Sequence, residues 1–175
     1  MPHKRKELKI QGANLWYLVG LITSDGCLSS DRRHIDITSK DYNFLSPIKN
    51  LIWIRNKIGI KYGYKQQKSF RIQIGNTNFY SFLLALGLTR KKSLTLGILD
   101  VPRQFFMDFL RGLIDGDGST RSWRHSVNFG IQWSLRIYSR SKKFLEWLAG
   151  QIKEYLKSDQ RGSRIFTISK IRFIF

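Results

Sequence analysis

Cysteine is nearly absent from this sequence: its 175 residues hold one, Cys27. A single thiol excludes an internal disulfide and a cysteine-based zinc site, and it suits a reducing, intracellular compartment without saying which, a prokaryotic cytoplasm or an organelle matrix. No apolar run approaches the ~20 residues of a membrane span, so no membrane partner is expected. The start, MPHKRKELK, is basic but lacks the apolar stretch of a secretory signal and reads as a solvated tail. Acids are scarce as well, 12 against 31 Lys and Arg, for a net charge of +19 and a pI near 10.4. Such an imbalance points to a polyanionic partner, because each phosphate neutralised by a basic side chain releases a counterion. Nucleic acid is the first candidate; a ribosomal or membrane-surface protein would share the charge. What the chain does have is a 42% apolar and 14% aromatic content, enough for a packed core. Its length fits one domain or two small, tightly fused halves.

The two-halves reading is favoured by an internal repeat. LVGLITSDG (Leu18 to Gly26) matches LRGLIDGDG (Leu110 to Gly118) without gaps at an offset of 92. IDITSKDYNFL (Ile35 to Leu45) lines up with LRIYSRSKKFL (Leu135 to Leu145) at 100, and SFRIQIG (Ser69 to Gly75) with SRIFTIS (Ser163 to Ser169) at 94. Three blocks in one order indicate duplication, with eight extra residues in the second copy between Ser119 and Ser134. The expected halves are 8–87 and 102–175, joined by a linker at 88–101.

Each copy reads as helix, strands, helix, strands. Residues 15–24 form an apolar helical run with Asn14 as N-cap, and 104–116 repeat it after Pro102. His34 to Thr38 alternates, and so does Val127 to Ile137, which places Val127, Phe129, Ile131, Trp133, Leu135 and Ile137 on one inner face. Phe44, Leu45, Ile48 and Ile52 mark a helix whose twin carries Phe144, Leu145, Leu148, Ile152 and Leu156. Further strands are expected at Arg71 to Gly75 and Ile165 to Ser169. A last helix through Phe79, Phe82, Leu83 and Leu86 stops at Gly87 in the first copy; in the second its counterpart is missing or truncated.

The repeated helix carries small residues four apart, Gly20 and Ser24 in one copy, Gly112 and Gly116 in the other, and so offers a strip without bulk. Glycine inside a helix costs about 1 kcal/mol relative to alanine, which makes sense where two backbones must touch. Under the offset of 92, Asp25 lands on Asp117, and no other acid meets an acid under any of the three offsets. Two bare carboxylates about 4 Å apart would repel by roughly 4 kcal/mol at a surface-like dielectric. Divalent cations relieve that repulsion, and paired metals hydrolyse phosphodiesters. A structural reading, in which both acids simply cap loops, stays open at this point.

Both nonapeptides resemble the motif of the LAGLIDADG homing endonucleases, and the resemblance runs from about Leu15 to Ser169 with two copies in order, as in the monomeric two-motif type. It implies an α+β fold of two pseudo-symmetric αββαββα halves, with the motif helices at their interface and antiparallel sheets forming a DNA-binding saddle along the major groove. It also implies a site-specific endonuclease that hydrolyses one phosphodiester in each strand of a long, asymmetric target. Asp25 and Asp117 would bind the metals, with the carbonyls of Ser24 and Gly116. The implied cofactor is Mg2+, two or more ions, with Mn2+ or Ca2+ able to substitute in binding.

The family places a lysine after the second strand, near the scissile phosphates. Lys40 in ITSKD matches it, and its twin is Arg140 in IYSRS, which keeps the charge but not the capacity to exchange a proton. Base contacts are expected from strand faces turned away from the core: Arg71 and Gln73 in the first copy, with Lys68 beside them, and Asn128, Gln132, Ser134 and Arg136 in the second. Arg32 and Arg33 sit at a hairpin tip, Arg121 and Arg124 in or near the extended one, and Thr167 with Ile165 offers apolar contact to thymine methyls. The expected partner is double-stranded DNA, met by a monomer, with host intron RNA as a second candidate. A non-cleaving relative, an intron maturase or a transcription regulator, is the alternative. An intein-embedded domain is disfavoured, since no splicing-junction residues are visible.

Overall fold

From Trp16 to Thr23 the first helix is buried without a break, so it is covered on all sides rather than lying on a surface. A computed structural model describes residues 10–52, 57–124, 126–127, 129–159 and 168–174. This helix, α1 (Gly12–Ser24), begins after Gln11, with no side-chain cap; Asn14, the expected cap, lies inside it and is exposed. The chain then turns directly into β1 (Gly26–Leu28), followed by β2 (His34–Ser39), α2 (Tyr42–Leu51), β3 (Gly59–Tyr62), β4 (Lys68–Gly75) and α3 (Thr77–Ala85). Gly87, with φ 92, ends α3 as its position predicts, and Leu88 N–H returns to the Leu83 carbonyl. After the short α4 (Lys92–Thr95) come α5 (Phe106–Asp117), β5 (Gly118–Arg124), β6 (Ile131–Tyr138), α6 (Lys142–Asp159) and β7 (Ile168–Ile174). Among the described residues no helix is long and apolar enough to cross a membrane.

Two compact units result. The first takes the chain up to Arg90 together with Asp100–Gly116; the second takes Lys91–Leu99 and the chain from Asp117. The division does not follow the repeat, because α5 down to Gly116 groups with the first unit. There, four antiparallel strands run in the order β1-β2-β4-β3. Ile35 and Ile37 of β2 lie in register with Ile74 and Ile72 of β4 and are buried, as are Leu18, Leu21 and Ile22 of α1, Leu45 and Ile48 of α2, and Phe79, Tyr80 and Leu83 of α3. At about 1.5–3 kcal/mol for each large side chain fully buried, this cluster dominates the unit's stability. It realises αββαββα in full.

The second unit departs from that pattern. Among the described residues its sheet has three strands in the order β5-β6-β7, and β7 runs parallel to β6. The expected antiparallel sheets are found in every other described pairing, and this one departs from them. In the first unit a hairpin, β3–β4, follows α2, so the second strand of that hairpin meets β2 antiparallel. Among the described residues β7 alone follows α6, and a strand reached by a helical crossover can run alongside its partner in the same direction. Ile137, Phe144, Leu145, Leu148 and Ile152 form this unit's core with Leu96 and Leu99.

The inward alternation expected from Val127 to Ile137 holds only at its end. Ile137 is buried and Leu135 half-buried, whereas Val127, Phe129, Ile131 and Trp133 are exposed, Val127 at 79%. Ser134, expected on the outer face, is buried. β6 shifts register against β7 between Trp133 and Ser134, where the burial pattern also changes.

Candidate active site and nucleic-acid interface

α1 and α5 approach each other backbone to backbone. A Cβ on Gly20 would lie 2.0 Å from the Phe109 carbonyl oxygen and 2.9 Å from Leu113 N; one on Gly112 would lie 2.0 Å from the Tyr17 carbonyl oxygen and 2.8 Å from Leu21 N. Gly112 follows Gly20 by 92 positions, and Phe109 follows Tyr17 by the same 92, so the crossing obeys a local twofold in the repeat's own register. One turn further, Gly116 faces Ser24, its own repeat counterpart: a Cβ there would sit 1.9 Å from Ser24 Oγ. That oxygen donates to the Leu21 carbonyl at 3.0 Å. The small residues therefore exist for close approach, as their spacing predicts.

The next residue in each chain segment is the repeated acid. Asp25 closes α1 with φ −91 and ψ −9, its N–H donating to the Leu21 carbonyl at 3.0 Å. Asp117 is the last residue of α5. Gly26 allows the turn: a Cβ would lie 2.6 Å from Ile22 Cα. Both carboxylates thus sit at helix C-termini, where the last carbonyls lack intrahelical donors and the helix dipole is negative. An acid there is disfavoured by about 0.3–1 kcal/mol, and a base is the usual occupant. Carboxylates beside helix-terminal carbonyls give an all-oxygen donor set, the chemistry of Mg2+ and Ca2+ rather than of softer metals. Among the described residues no group of three or more His, Cys, Asp or Glu gathers. A cation held by one of these acids would complete its shell with carbonyl, water or phosphate oxygens.

Sequence reasoning missed one cross-helix contact. Tyr17 Oη donates to Asp115 Oδ2 at 2.9 Å, and the Arg111 guanidinium stands 4.6 Å from the Tyr17 ring centre. Burial, reinforced by Asp115, pushes the Tyr17 hydroxyl up to about 12. The repeat counterparts are Phe109 and Thr23, whose Oγ1 donates to the Val19 carbonyl at 2.7 Å. The twofold is broken here, and no local sequence signal marks it.

Lys40 and Arg140 occupy equivalent, exposed bends between strand and helix. Ser39 Oγ accepts from Asp41 N at 3.1 Å and Ser139 Oγ from Ser141 N at 3.2 Å; Asp41 then caps α2 through Asn43 N at 2.8 Å, and Ser141 caps α6 through Phe144 N at 3.3 Å. Part of the repeat around Lys40 is thus explained by a turn that joins strand to helix. Ser141 Oγ also donates to the Leu96 carbonyl.

On the first sheet, alternation turns Ile72 and Ile74 inward and Arg71 and Gln73 to the other face, as expected. Lys68 shares the face of Phe70, not that of Arg71, and its Nζ lies 5.2 Å from the Phe70 ring centre. Arg32 and Arg33 are exposed in the β1–β2 loop, Arg32 with φ 55. Asp31 organises that loop, accepting from the Arg33 and His34 N–H groups at 3.0 and 3.1 Å and pairing with the His34 ring. Those hydrogen bonds, the His34 ring's first, hold its carboxyl down at about 2. In the second unit Arg121, Gln132, Ser134 and Arg136 share one face by register, whereas Arg124 lies on the opposite face with Ile131 and Trp133. Asn128, Ile165 and Thr167 lie outside the described residues.

No family model matches the sequence, and no curated protein does. Solved structures do match. Full-length DUF199/WhiA from Thermatoga maritima is 14% identical with a TM-score of 0.51, over 86% of this chain and 48% of its own. I-DmoI in complex with DNA and Ca is 18% identical with a TM-score of 0.50, over 83% of this chain and 72% of its own. The chain spans about half the length of the first and nearly three quarters of the second. It has their mixed α+β architecture, the LAGLIDADG homing endonuclease fold.

Proposed function

We propose that this chain is a LAGLIDADG homing endonuclease of the monomeric two-motif type, with repeat halves at 8–87 and 102–175. The observation that carries the reading is the position of the one self-matching acid pair: Asp25 and Asp117 directly follow Ser24 and Gly116, the small pair one turn beyond the symmetric Gly20 and Gly112 contacts of α1 and α5, at helix ends where a structural acid is disfavoured. The likeness in fold is equal for WhiA and I-DmoI and does not by itself select cutting over binding. The acids favour cutting, since a protein that only binds a polyanion gains nothing from carboxylates aimed away from helix stabilisation.

In this reading each acid, with the carbonyl of Ser24 or Gly116, holds a divalent cation, Mg2+ in the cell. When bound there, such a cation would supply charge neutralisation at the phosphate and a lowered pKa for an attacking water. Lys40 places a compact positive charge by one scissile phosphate and stabilises the charge that builds on it, and Arg140 does the same by the other without being able to exchange a proton. Arg71 and Gln73, and Arg121, Gln132 and Arg136 in the other unit, meet base edges and backbone. The exposed Lys68, Arg32, Arg33 and Arg124 supply phosphate contacts. Asn128, Ser134 and Thr167 complete the proposed interface, Ser134 only through local opening of β6.

Linearisation of a plasmid library in Mg2+, with sequencing of the ends, tests the reading. One recurrent cut site is the expected result. A library left uncut in both Mg2+ and Mn2+, by protein that still binds duplex DNA, would leave the non-cleaving alternative.

A further inference from the structure

On the outer face of the first sheet a single acid stands among the groups proposed to read DNA. Asp36 of β2 is in direct register with Gln73 of β4, and one step along the strand Thr38 is in register with Arg71. The Asp36 carboxylate accepts from Gln73 Nε2 at 3.0 Å and pairs with Arg71 Nη1 at 3.5 Å. Its side chain is 16% exposed and that of Arg71 37%, so the acid is set deeper than the cation it holds. In the second copy its counterpart is Arg136. An acid on a surface that meets phosphates weakens general binding, so its presence calls for a compensating role.

We propose that Asp36 is a specificity-determining positioning residue: it fixes the Gln73 amide and the Arg71 guanidinium in one arrangement for base recognition. A carboxylate only accepts, so Gln73 must turn Nε2 toward it, and the half-turn flip open to a surface glutamine is removed. Base readout depends on the order in which donor and acceptor are offered, and an amide held in one sense discriminates where a flipping one averages. Holding both side chains before contact also lowers the ordering cost of binding. Partial neutralisation of Arg71 biases it from indiscriminate phosphate contact toward a directed one. The inference rests on the reading that this sheet face meets duplex DNA.

Selection of bound duplexes from a randomised-sequence library, by the full chain in Ca2+, tests it. The parent should enrich a defined sequence. Asp36→Ala and Gln73→Ala should both lose preference at the same position, by about 5- to 150-fold, while other positions hold. Asp36→Asn, which keeps an acceptor, should retain part of that preference, and Asp36→Ala should bind unselected duplex as well as or better than the parent. An Asp36→Ala protein with the parent's preference at every position would overturn the proposal. Should that variant fail to fold by circular dichroism, unchanged preferences in both Asp36→Asn and Gln73→Ala would overturn it instead. A parent that enriches nothing would remove the endonuclease reading itself, and this inference with it.

Discussion

The Phe109 carbonyl oxygen lies 2.0 Å from where a Cβ on Gly20 would stand, and the Tyr17 carbonyl oxygen bears the same relation to Gly112. Neither contact can be relieved by rotating a side chain, since both obstacles are backbone.

Gly20→Ala and Gly112→Ala should therefore each cost more than the ~1–3 kcal/mol of ordinary overpacking. Gly150→Ala is the internal control, because a Cβ there meets nothing within 4 Å; in α6 it should stabilise by about 0.5–1 kcal/mol. Urea denaturation measures all three. A Gly20→Ala protein as stable as the parent would refute the close crossing.

Tyr17→Phe removes the hydrogen bond to Asp115 and should cost about 1.5–3 kcal/mol, the range for a bond to a charged group. It should also change the alkaline limb of stability. The folded hydroxyl sits at about 12 against 10.0 unfolded, so its contribution is whole below pH 10 and falls as pH rises through 12. The difference between parent and Tyr17→Phe should shrink over that window. A pH-independent difference would mean that the Tyr17 hydroxyl is not raised in the folded protein.

Much of this was legible in the sequence because it is periodic or repeated. The apolar run of α1, the small-residue strip and the alternation around Ile72 and Ile74 each report a local rule that the packing obeys. The β5–β6 hairpin was misread because alternation says which side chains share a face, not whether anything packs on it; Ile131 and Trp133 share theirs with Arg124 and are exposed. Asp36 and Gln73 are 37 positions apart, and Tyr17 and Asp115 are 98 apart. Such pairs depend on strand register or helix crossing, which no local pattern encodes. The Ser39 and Ser139 turns were visible only as repeat matches, without their purpose.

Binding should be steeply salt-dependent. If 6–10 phosphates are neutralised by this +19 chain, affinity for duplex DNA should fall about 10³- to 10⁵-fold between 50 and 200 mM salt. A nearly flat log–log plot would point to a partner other than nucleic acid.

The two strands should be cut at unequal rates. Lys40 and Arg140 hold equivalent bends, but lysine offers a compact point charge and arginine a planar, delocalised fork, so the two sites meet a scissile phosphate differently. A nicked intermediate should accumulate on supercoiled target before linear product. On denaturing gels with each strand end-labelled, Lys40→Ala should slow one strand far more than the other, and Arg140→Ala should mainly affect the opposite strand. Equal slowing of both by Lys40→Ala would assign Lys40 to overall binding.

The most direct measurement is cleavage of the target in Mg2+ by Asp25→Asn and Asp117→Asn, with binding in Ca2+ followed in parallel. Asparagine keeps the shape of each side chain and removes the anionic ligand. The prediction is that each variant binds duplex DNA as the parent does and yields no linear product. Linearisation by either variant at the parent rate would contradict the assignment of the two acids.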